Sequence, residues 1–76
     1  MAKPTLTHEK TKILGANLAR WRKKRKLTPS EASSRLRKAR TYVHGLETAT
    51  FTPSLAALHD ISKLYNCKIS DLVRGL

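Results

Sequence analysis

The stretch that decides the fold is TPSEASSRLRKARTYVHGLE, residues 28–47. It begins with a helix start signal. Thr28 can cap a helix, Pro29 suits the first helical position, and Glu31 completes a Thr-x-x-Glu capping box. These residues predict a helix over about residues 29–36. Its inner face should be small and apolar, because the following members recur at the spacing of one helical stripe: Ala32, Ser33 and Leu36.

A second helix is predicted over about residues 40–48, with Val43 and Leu46 facing inward. At about 100° per residue, its opposite face collects residues that are polar, small or positively charged: Arg40, Thr41, His44, Gly45 and Thr48. Two short helices joined by a tight turn, the second exposing such a face toward a nucleic acid, describe a helix-turn-helix motif. Nothing from residue 35 to 43 breaks a helix by composition, so one long basic helix over 29–48 is the alternative.

The net charge of +11 is distributed very unevenly along the chain. Residues 1–40 hold 13 Lys and Arg against 2 acidic residues, whereas residues 41–76 hold 3 of each and are neutral. The excess therefore surrounds the predicted motif, and a one-sided field of this kind attracts a polyanion. A basic surface that merely keeps the protein soluble is the alternative.

Upstream of the motif, the sequence predicts a disordered tail and one long helix. Residues 1–6 form the tail, and residues 7–76 are expected to be a single domain. The helix runs from Thr7 or His8 to about Arg25, with a buried stripe: Ile13, Leu14, Leu18 and Trp21. It ends in RWRKKRK, residues 20–26. Basic side chains suit a helix C-terminus, but six of them exceed that need and predict phosphate contacts.

Downstream of the motif, two further helices complete an all-α prediction with five helices. Phe51 is expected to plug the core from the preceding loop. Thr52 should cap the fourth helix and Pro53 should start it, with an apolar core stripe: Leu55, Leu58, Ile61 and Leu64. A short last helix is predicted to begin at Lys68 or Ser70.

Residues 13–73 resemble the Cro/phage-repressor (Xre-type) helix-turn-helix regulators without gaps. The match rests on Leu18, Trp21, Arg22, Leu27-Thr28, Glu31, Leu36, Arg40-Thr41-Tyr42-Val43-x-Gly45-Leu46-Glu47, Pro53-Ser54-Leu55, Leu58, Ile61 and Ile69-Ser70-Asp71-Leu72. The run RTYVHGLE is most similar to small restriction–modification controller proteins. This resemblance implies a compact, lambda-repressor-like fold and a homodimer on a partly palindromic double-stranded DNA operator.

The sequence departs from that family's pattern at five positions. Pro29 replaces a Gln that usually reaches a phosphate, and Lys38 replaces an apolar residue that usually plugs the core. Lys26, Arg37 and Ala49 each replace a Gly that usually follows a helix. The departures at Arg37 and Lys38 put the usual turn geometry of the motif in question.

The helix faces and the resemblance together assign the expected site residues. Base reading falls to Arg40, Thr41, His44 and Gly45. Close approach to DNA would explain a glycine at residue 45 of a helix. Phosphate contacts fall to Lys23, Lys24, Lys26, Thr28, Ser30, Arg37, Lys38, Tyr42, Thr48 and Thr50. By resemblance, Arg22 and Glu47 form a structural ion pair inside the domain. The dimer interface is expected at Tyr65, Leu72, Val73 and Leu76.

Other chemistry is not indicated by the sequence. One cysteine, Cys67, allows no internal disulfide, which suits a reducing cytoplasm. The three histidines have no metal-site spacing, and neither a nucleophile elbow nor a carboxylate pair can be assembled. We therefore expect a cytoplasmic, non-enzymatic transcriptional regulator without a cofactor, metal, small-molecule ligand or membrane association. It would act by occluding a promoter, as a repressor, or by contacting the polymerase.

Two rival functions come from other classes. An antitoxin would mainly bind a partner protein and autoregulate its operon, and it would carry an extra segment for that partner. A ribosomal or other RNA-binding protein would carry stacking aromatics on its basic face. The basic half offers only Trp21, which is expected in the core.

Overall fold

The computed structural model describes residues 7–76, and five α-helices form that part of the chain, without a strand. They are α1 (His8–Lys24), α2 (Pro29–Arg35), α3 (Tyr42–Glu47), α4 (Leu55–Tyr65) and α5 (Ile69–Leu72). The predicted all-α, five-helix fold is confirmed. The tail predicted over residues 1–6 lies outside the described residues.

Helix α1 is the support on which α3 and α5 pack. Thr7 caps it, since its hydroxyl accepts the Lys10 N–H at 3.2 Å. Leu14 and Leu18 are buried as expected. Ile13, expected beside them, is 40% exposed. The buried positions of α1 are residues 11, 14, 15, 17, 18 and 22, so residue 13 falls on the flank of that stripe, next to residue 17. Trp21 is only partly buried.

A glycine allows α1 and α3 to approach closely. A Cβ built on Gly15 would lie 2.6 Å from the Glu47 carbonyl oxygen and 2.9 Å from that of Leu46. Both atoms belong to the backbone and cannot swing aside. The predicted inward residues of α3, Val43 and Leu46, are buried.

The angle between α2 and α3 is held by one buried hydroxyl. Ser33 is fully buried, donates to the Pro29 carbonyl oxygen at 2.8 Å and accepts the Val43 N–H at 3.0 Å. The Val43 N–H lies in the first turn of α3, where a helix has no internal partner for it. The Ser33 hydroxyl therefore acts as the hydrogen-bond acceptor that an N-cap side chain would normally provide, because the Thr41 side chain makes no capping hydrogen bond.

Helices α1 to α4 end in the same way, each with a residue at positive φ: Lys26 (57°), Arg37 (58°), Ala49 (60°) and Asn66 (53°). In each case the next N–H donates to the carbonyl five residues back, at 2.9–3.3 Å. This is the Schellman ending, in which glycine is the usual left-handed residue, and none of the four is glycine. The usual turn thus survives at Arg37, and the single long helix over 29–48 is excluded.

Helix α4 begins later than predicted. Ser54 caps it by accepting the Ala57 N–H at 3.1 Å, and Pro53 precedes the helix. Leu55, in the first turn of α4, is 71% exposed, while Leu58 and Ile61 are buried. Phe51 is not a core residue either, since 41% of it is exposed. At the far end, the Asn17 amide donates to the Leu72 and Arg74 carbonyl oxygens at 2.9 and 2.8 Å and fixes α5 to α1.

Candidate nucleic-acid interface

The outward face of α3 is the centre of the expected interface. Thr41 and His44 are exposed there, and the Thr41 hydroxyl makes no capping hydrogen bond to α3. The base-reading prediction for Gly45 is corrected. Gly45 is buried, and a Cβ built on it would lie 2.3 Å from the Phe51 Cε1. The aromatic ring, rather than DNA, occupies the space that this glycine leaves.

Arg40 is exposed but does not lie in α3, contrary to the prediction that the helix begins there. The Tyr42 N–H donates to the Ala39 carbonyl oxygen at 2.9 Å. Arg40 and Thr41 are therefore the two central residues of a tight turn that leads into the helix.

The basic end of α1 presents three exposed cations, Lys23, Lys24 and Lys26. The Lys24 ammonium lies over the Trp21 ring, 4.3 Å from its centroid. This cation–π contact holds Lys24 against the domain. Lys26 occupies the left-handed position that ends α1. Among the described residues, the ion pairs include no lysine, and the only arginines in them are Arg22 and Arg74. Lys23, Lys24 and Lys26 are thus not neutralised by a carboxylate among the described residues.

The N-terminus of α2 holds Thr28 and Ser30, both exposed. The predicted capping box is formed. The Thr28 hydroxyl accepts the Glu31 N–H at 3.1 Å, and the Glu31 carboxylate accepts the Thr28 N–H at 2.8 Å. These hydrogen bonds lower the pKa of the Glu31 carboxyl, which stays ionised. The Thr28 O–H can still donate to a phosphate, but it does so beside a negative charge.

The turn between α2 and α3 carries Arg37 and Lys38, both exposed. Arg37 lines a shallow cleft with Arg35, Asp60 and Lys63. Lys38 lies 5.5 Å from the centroid of the Tyr42 ring. Burial, and then the charge of Asp60, raises the pKa of the Tyr42 phenol. The phenol is therefore neutral and able to donate to a phosphate.

Thr48 and Thr50 follow α3 and are hydrogen-bonded to each other at 2.9 Å. The Thr48 hydroxyl also donates to the His44 carbonyl oxygen at 2.9 Å. A hydroxyl has one hydrogen, so Thr50 must be the donor in the pair. Both hydrogens are then in use. A phosphate at this point would have to displace one of these bonds or use backbone N–H groups.

Arg22 and Glu47, which the resemblance pairs, meet in a two-bonded fork. The Arg22 Nε and Nη2 donate to the Glu47 Oε2 and Oε1 at 2.7 and 2.9 Å, and Nη1 donates to the Leu27 carbonyl oxygen at 2.8 Å. The Glu47 carboxylate raises the pKa of the Arg22 guanidinium further. Both side chains are about nine-tenths buried. The fork ties α1 to the end of α3 and removes Arg22 from the surface.

The dimer-interface predictions divide at the C-terminus. Tyr65 and Leu72 are fully buried in the core of the domain, which corrects their assignment to an interface. Burial raises the pKa of the Tyr65 phenol well above its ordinary value. Val73 and Leu76 are only partly buried. They keep the apolar surface that a second chain could cover.

Two residues matter more to this surface than the sequence indicated. Arg25 donates to the Tyr65 and Asn66 carbonyl oxygens at 2.5 and 3.2 Å, so it stabilises the end of α4 and is partly withdrawn from the basic run. Phe51 lies against α3, and its ring centroid is 5.6 Å from that of Tyr42. The unusual glycine in α3 was the available signal for Phe51, because a missing side chain leaves room for a neighbour as readily as for a ligand.

An all-α domain in which a short helix, a tight turn and a second short helix present a basic, polar face is a helix-turn-helix protein. The chain belongs to the helix-turn-helix domain family, whose model matches residues 13–74. No curated protein and no solved structure matches it. Membership supports a DNA-binding regulator. Among the described residues, no helix is long and apolar enough to cross a membrane, and no three His, Cys, Asp or Glu side chains form a metal site.

Proposed function

We propose that this protein is a sequence-specific transcriptional regulator, most simply a repressor, of the Xre/Cro type. It places α3 in the major groove of double-stranded DNA and occludes a promoter without catalysing a reaction. One observation carries the proposal. The whole excess of +11 lies in residues 1–40, and exposed cations stand at both approaches to α3, at the end of α1 and in the α2–α3 turn.

In this arrangement, grip and reading fall to different groups. Lys23, Lys24 and Lys26 neutralise phosphates, which positions the domain without reading sequence. Arg40 is suited to the O6 and N7 atoms of a guanine, and Thr41 to a thymine methyl group. His44 offers one further polar contact from the same face of α3.

We also propose that the protein acts as a homodimer on a partly palindromic operator. Val73 and Leu76 are apolar residues that stay partly accessible at the C-terminus. A two-fold pair joined there would present two α3 helices to successive major grooves, about 34 Å apart. The operator should therefore contain two half-sites separated by about one turn of DNA.

The test separates grip from reading. Bound fragments are first selected from random-sequence duplex DNA, and the affinity of variants is then measured on the selected site and on unrelated DNA. Lys23→Ala and Lys26→Ala should weaken both equally and reduce the slope of log K against log salt by about one. Arg40→Ala should cost about 1–3 kcal/mol on the selected site and relax one base pair in each half-site.

Lys68→Ala is the matched control, because Lys68 is an exposed lysine in the neutral half of the chain. It should change neither the affinity nor the salt slope. Equal weakening by Arg40→Ala on both DNAs would make Arg40 a phosphate contact. If no sequence is enriched, or if Lys68→Ala acts like Lys26→Ala, the proposal of a sequence-specific regulator fails.

A further inference from the structure

Phe51 is an exposed aromatic residue placed beside the recognition surface, and neither the core nor the phosphate contacts account for it. Among the described residues, the large apolar side chains that stay exposed are Ile13, Phe51 and Leu55. Of these, Phe51 packs on Gly45 and Tyr42 of α3. The ring follows the helix in the loop before α4 and folds back onto it.

The seat of the ring is built into α3. A Cβ on Gly45 would lie 2.3, 3.0 and 3.2 Å from the Phe51 Cε1, Cζ and Cδ1. The ring edge thus occupies the volume of a missing side chain. Glycine is the least favourable helix-interior residue apart from proline. A six-residue helix that contains one nevertheless gains a flat aromatic surface at this point.

The position of the ring relative to the outward face of α3 follows from the helix period. At about 100° per residue, Gly45 lies on the same side of α3 as Thr41 and Thr48, and Tyr42 lies on the adjoining flank. Phe51 covers Gly45 and packs on Tyr42 at a tilt of 39°. With 41% of the residue still open to solvent, the ring forms an apolar wall along one edge of the face that would enter the groove.

We propose that Phe51 is a specificity-determining residue which contacts the C5-methyl group of a pyrimidine in the major groove beside α3. This inference rests on the proposed DNA-binding function. The methyl group at C5 of thymine is the apolar group that base pairs present in that groove, and phenylalanine is among the side chains suited to it. A 5-methylcytosine presents the same group at the same position, so the chemistry recognised is the methyl group itself.

The experiment uses the full chain and the DNA site that it selects. Each thymine of the site is replaced singly by deoxyuridine, which removes only the C5-methyl group, and affinity is measured for the wild type and for Phe51→Ala. One thymine in each half-site should lose about fourfold in wild-type affinity, the value of one buried methyl-sized group. The same replacement should change nothing for Phe51→Ala. A cytosine with a 5-methyl group at that position should restore more binding than cytosine does.

Two further variants keep the result interpretable if Phe51→Ala loosens the fold. Phe51→Leu retains apolar volume in the loop and should keep a weaker preference for the methyl group. Ile13→Ala is the matched control, because Ile13 is 40% exposed and lies 3.4 Å from the position of a Cβ on Gly75, near the C-terminus. It should leave the deoxyuridine profile of the wild type unchanged.

The outcomes separate the inference from the function beneath it. If the wild type selects no sequence, both fail. If it selects a site but no thymine depends on Phe51, or if the Phe51 variants weaken all DNAs equally, the regulator stands and the methyl contact is overturned. If the Phe51 variants change their oligomeric state but keep the wild-type deoxyuridine profile, the methyl contact is likewise overturned and Phe51 is a protein–protein contact.

Discussion

The two sides of α3 differ in how closely they are packed. On the inner side, Val43 and Leu46 are buried, and Gly15 brings the backbone of α1 into contact with that of α3. The fork between Arg22 and Glu47 closes the same side with two short hydrogen bonds. On the outer side, the side chains are exposed, and the flanking turns pass through Arg37 and Ala49 at positive φ. The inner side stabilises the fold, whereas the turns that flank the outer side contain non-glycine residues in the strained left-handed conformation.

The endings of α2 and α4 make this difference measurable, because they share one geometry. The Lys38 N–H donates to the Ser33 carbonyl oxygen, and the Cys67 N–H donates to that of Ser62, each at 2.9 Å. The left-handed residue is Asn66 at the end of α4, and asparagine tolerates that conformation. At the end of α2 it is Arg37, which does not. A residue that is poor for the fold stands where a positive charge would help to hold DNA.

The largest expected effect lies on the inner side. Glu47→Ala leaves the Arg22 guanidinium mostly buried with only the Leu27 carbonyl oxygen as a partner. Removal of one partner from a buried pair costs about 3–5 kcal/mol, a large share of the stability of a domain this small. Urea denaturation monitored by circular dichroism measures this loss.

The control for Glu47→Ala is an exposed carboxylate, Asp60. Asp60 lies 4.0 Å from His59, and both side chains are more than half exposed. Asp60→Ala should therefore change the free energy of unfolding by about 0–1 kcal/mol. Comparable losses for the two variants would show that the inner side of α3 holds no special share of the stability, and the contrast between the two sides would disappear.

The next effect concerns the approach of α1 to α3. In an ordinary helix interior, Gly→Ala stabilises by about 1 kcal/mol. Gly15→Ala should do the opposite and destabilise by about 1–3 kcal/mol, since the new Cβ meets two backbone oxygens of α3. The sign of the change in melting temperature decides the matter. A higher melting temperature would mean that the contact is loose enough to widen without loss.

The sequence predicted the periodic parts of this molecule and missed parts that depend on neighbours. The stripes of α1, α3 and α4 were mostly identified because burial follows the helix period, as with Leu18, Val43 and Ile61. Leu55 was assigned to the core by its helical spacing from Leu58 and Ile61, and Phe51 as an aromatic residue in the preceding loop. Both are exposed. Helix α4 also begins two residues later than predicted, because Ser54, rather than Thr52, caps it.

Within the interface, the sequence predicted which side chains are exposed but not which of them are already hydrogen-bonded or covered inside the protein. Lys23, Lys26 and His44 are exposed as the interface requires. Thr50 and Arg25 are engaged by hydrogen bonds inside the protein, and Gly45 is covered by a ring that lies six residues further along the chain. Such engagements depend on tertiary geometry, which no single-helix pattern contains.

The smallest effect tests the outer side and reverses the usual sign of a mutation. Arg37→Gly removes a side chain from the left-handed region, where a non-glycine residue costs about 1–2 kcal/mol. Glycine also gives the unfolded chain more freedom, which offsets about half of that gain. The variant should be more stable by about 0.5–1 kcal/mol, and Asn66→Gly, in the same geometry, by less than 0.5 kcal/mol.

Arg37→Ala removes the charge and keeps the strain, so its stability should stay near that of the wild type. Both Arg37 variants should bind DNA more weakly and with a lower salt slope, whereas Asn66→Gly should bind normally. If Arg37→Gly is no more stable than Arg37→Ala, the turn carries no strain. If it binds DNA as well as the wild type, the arginine is not kept there for phosphate.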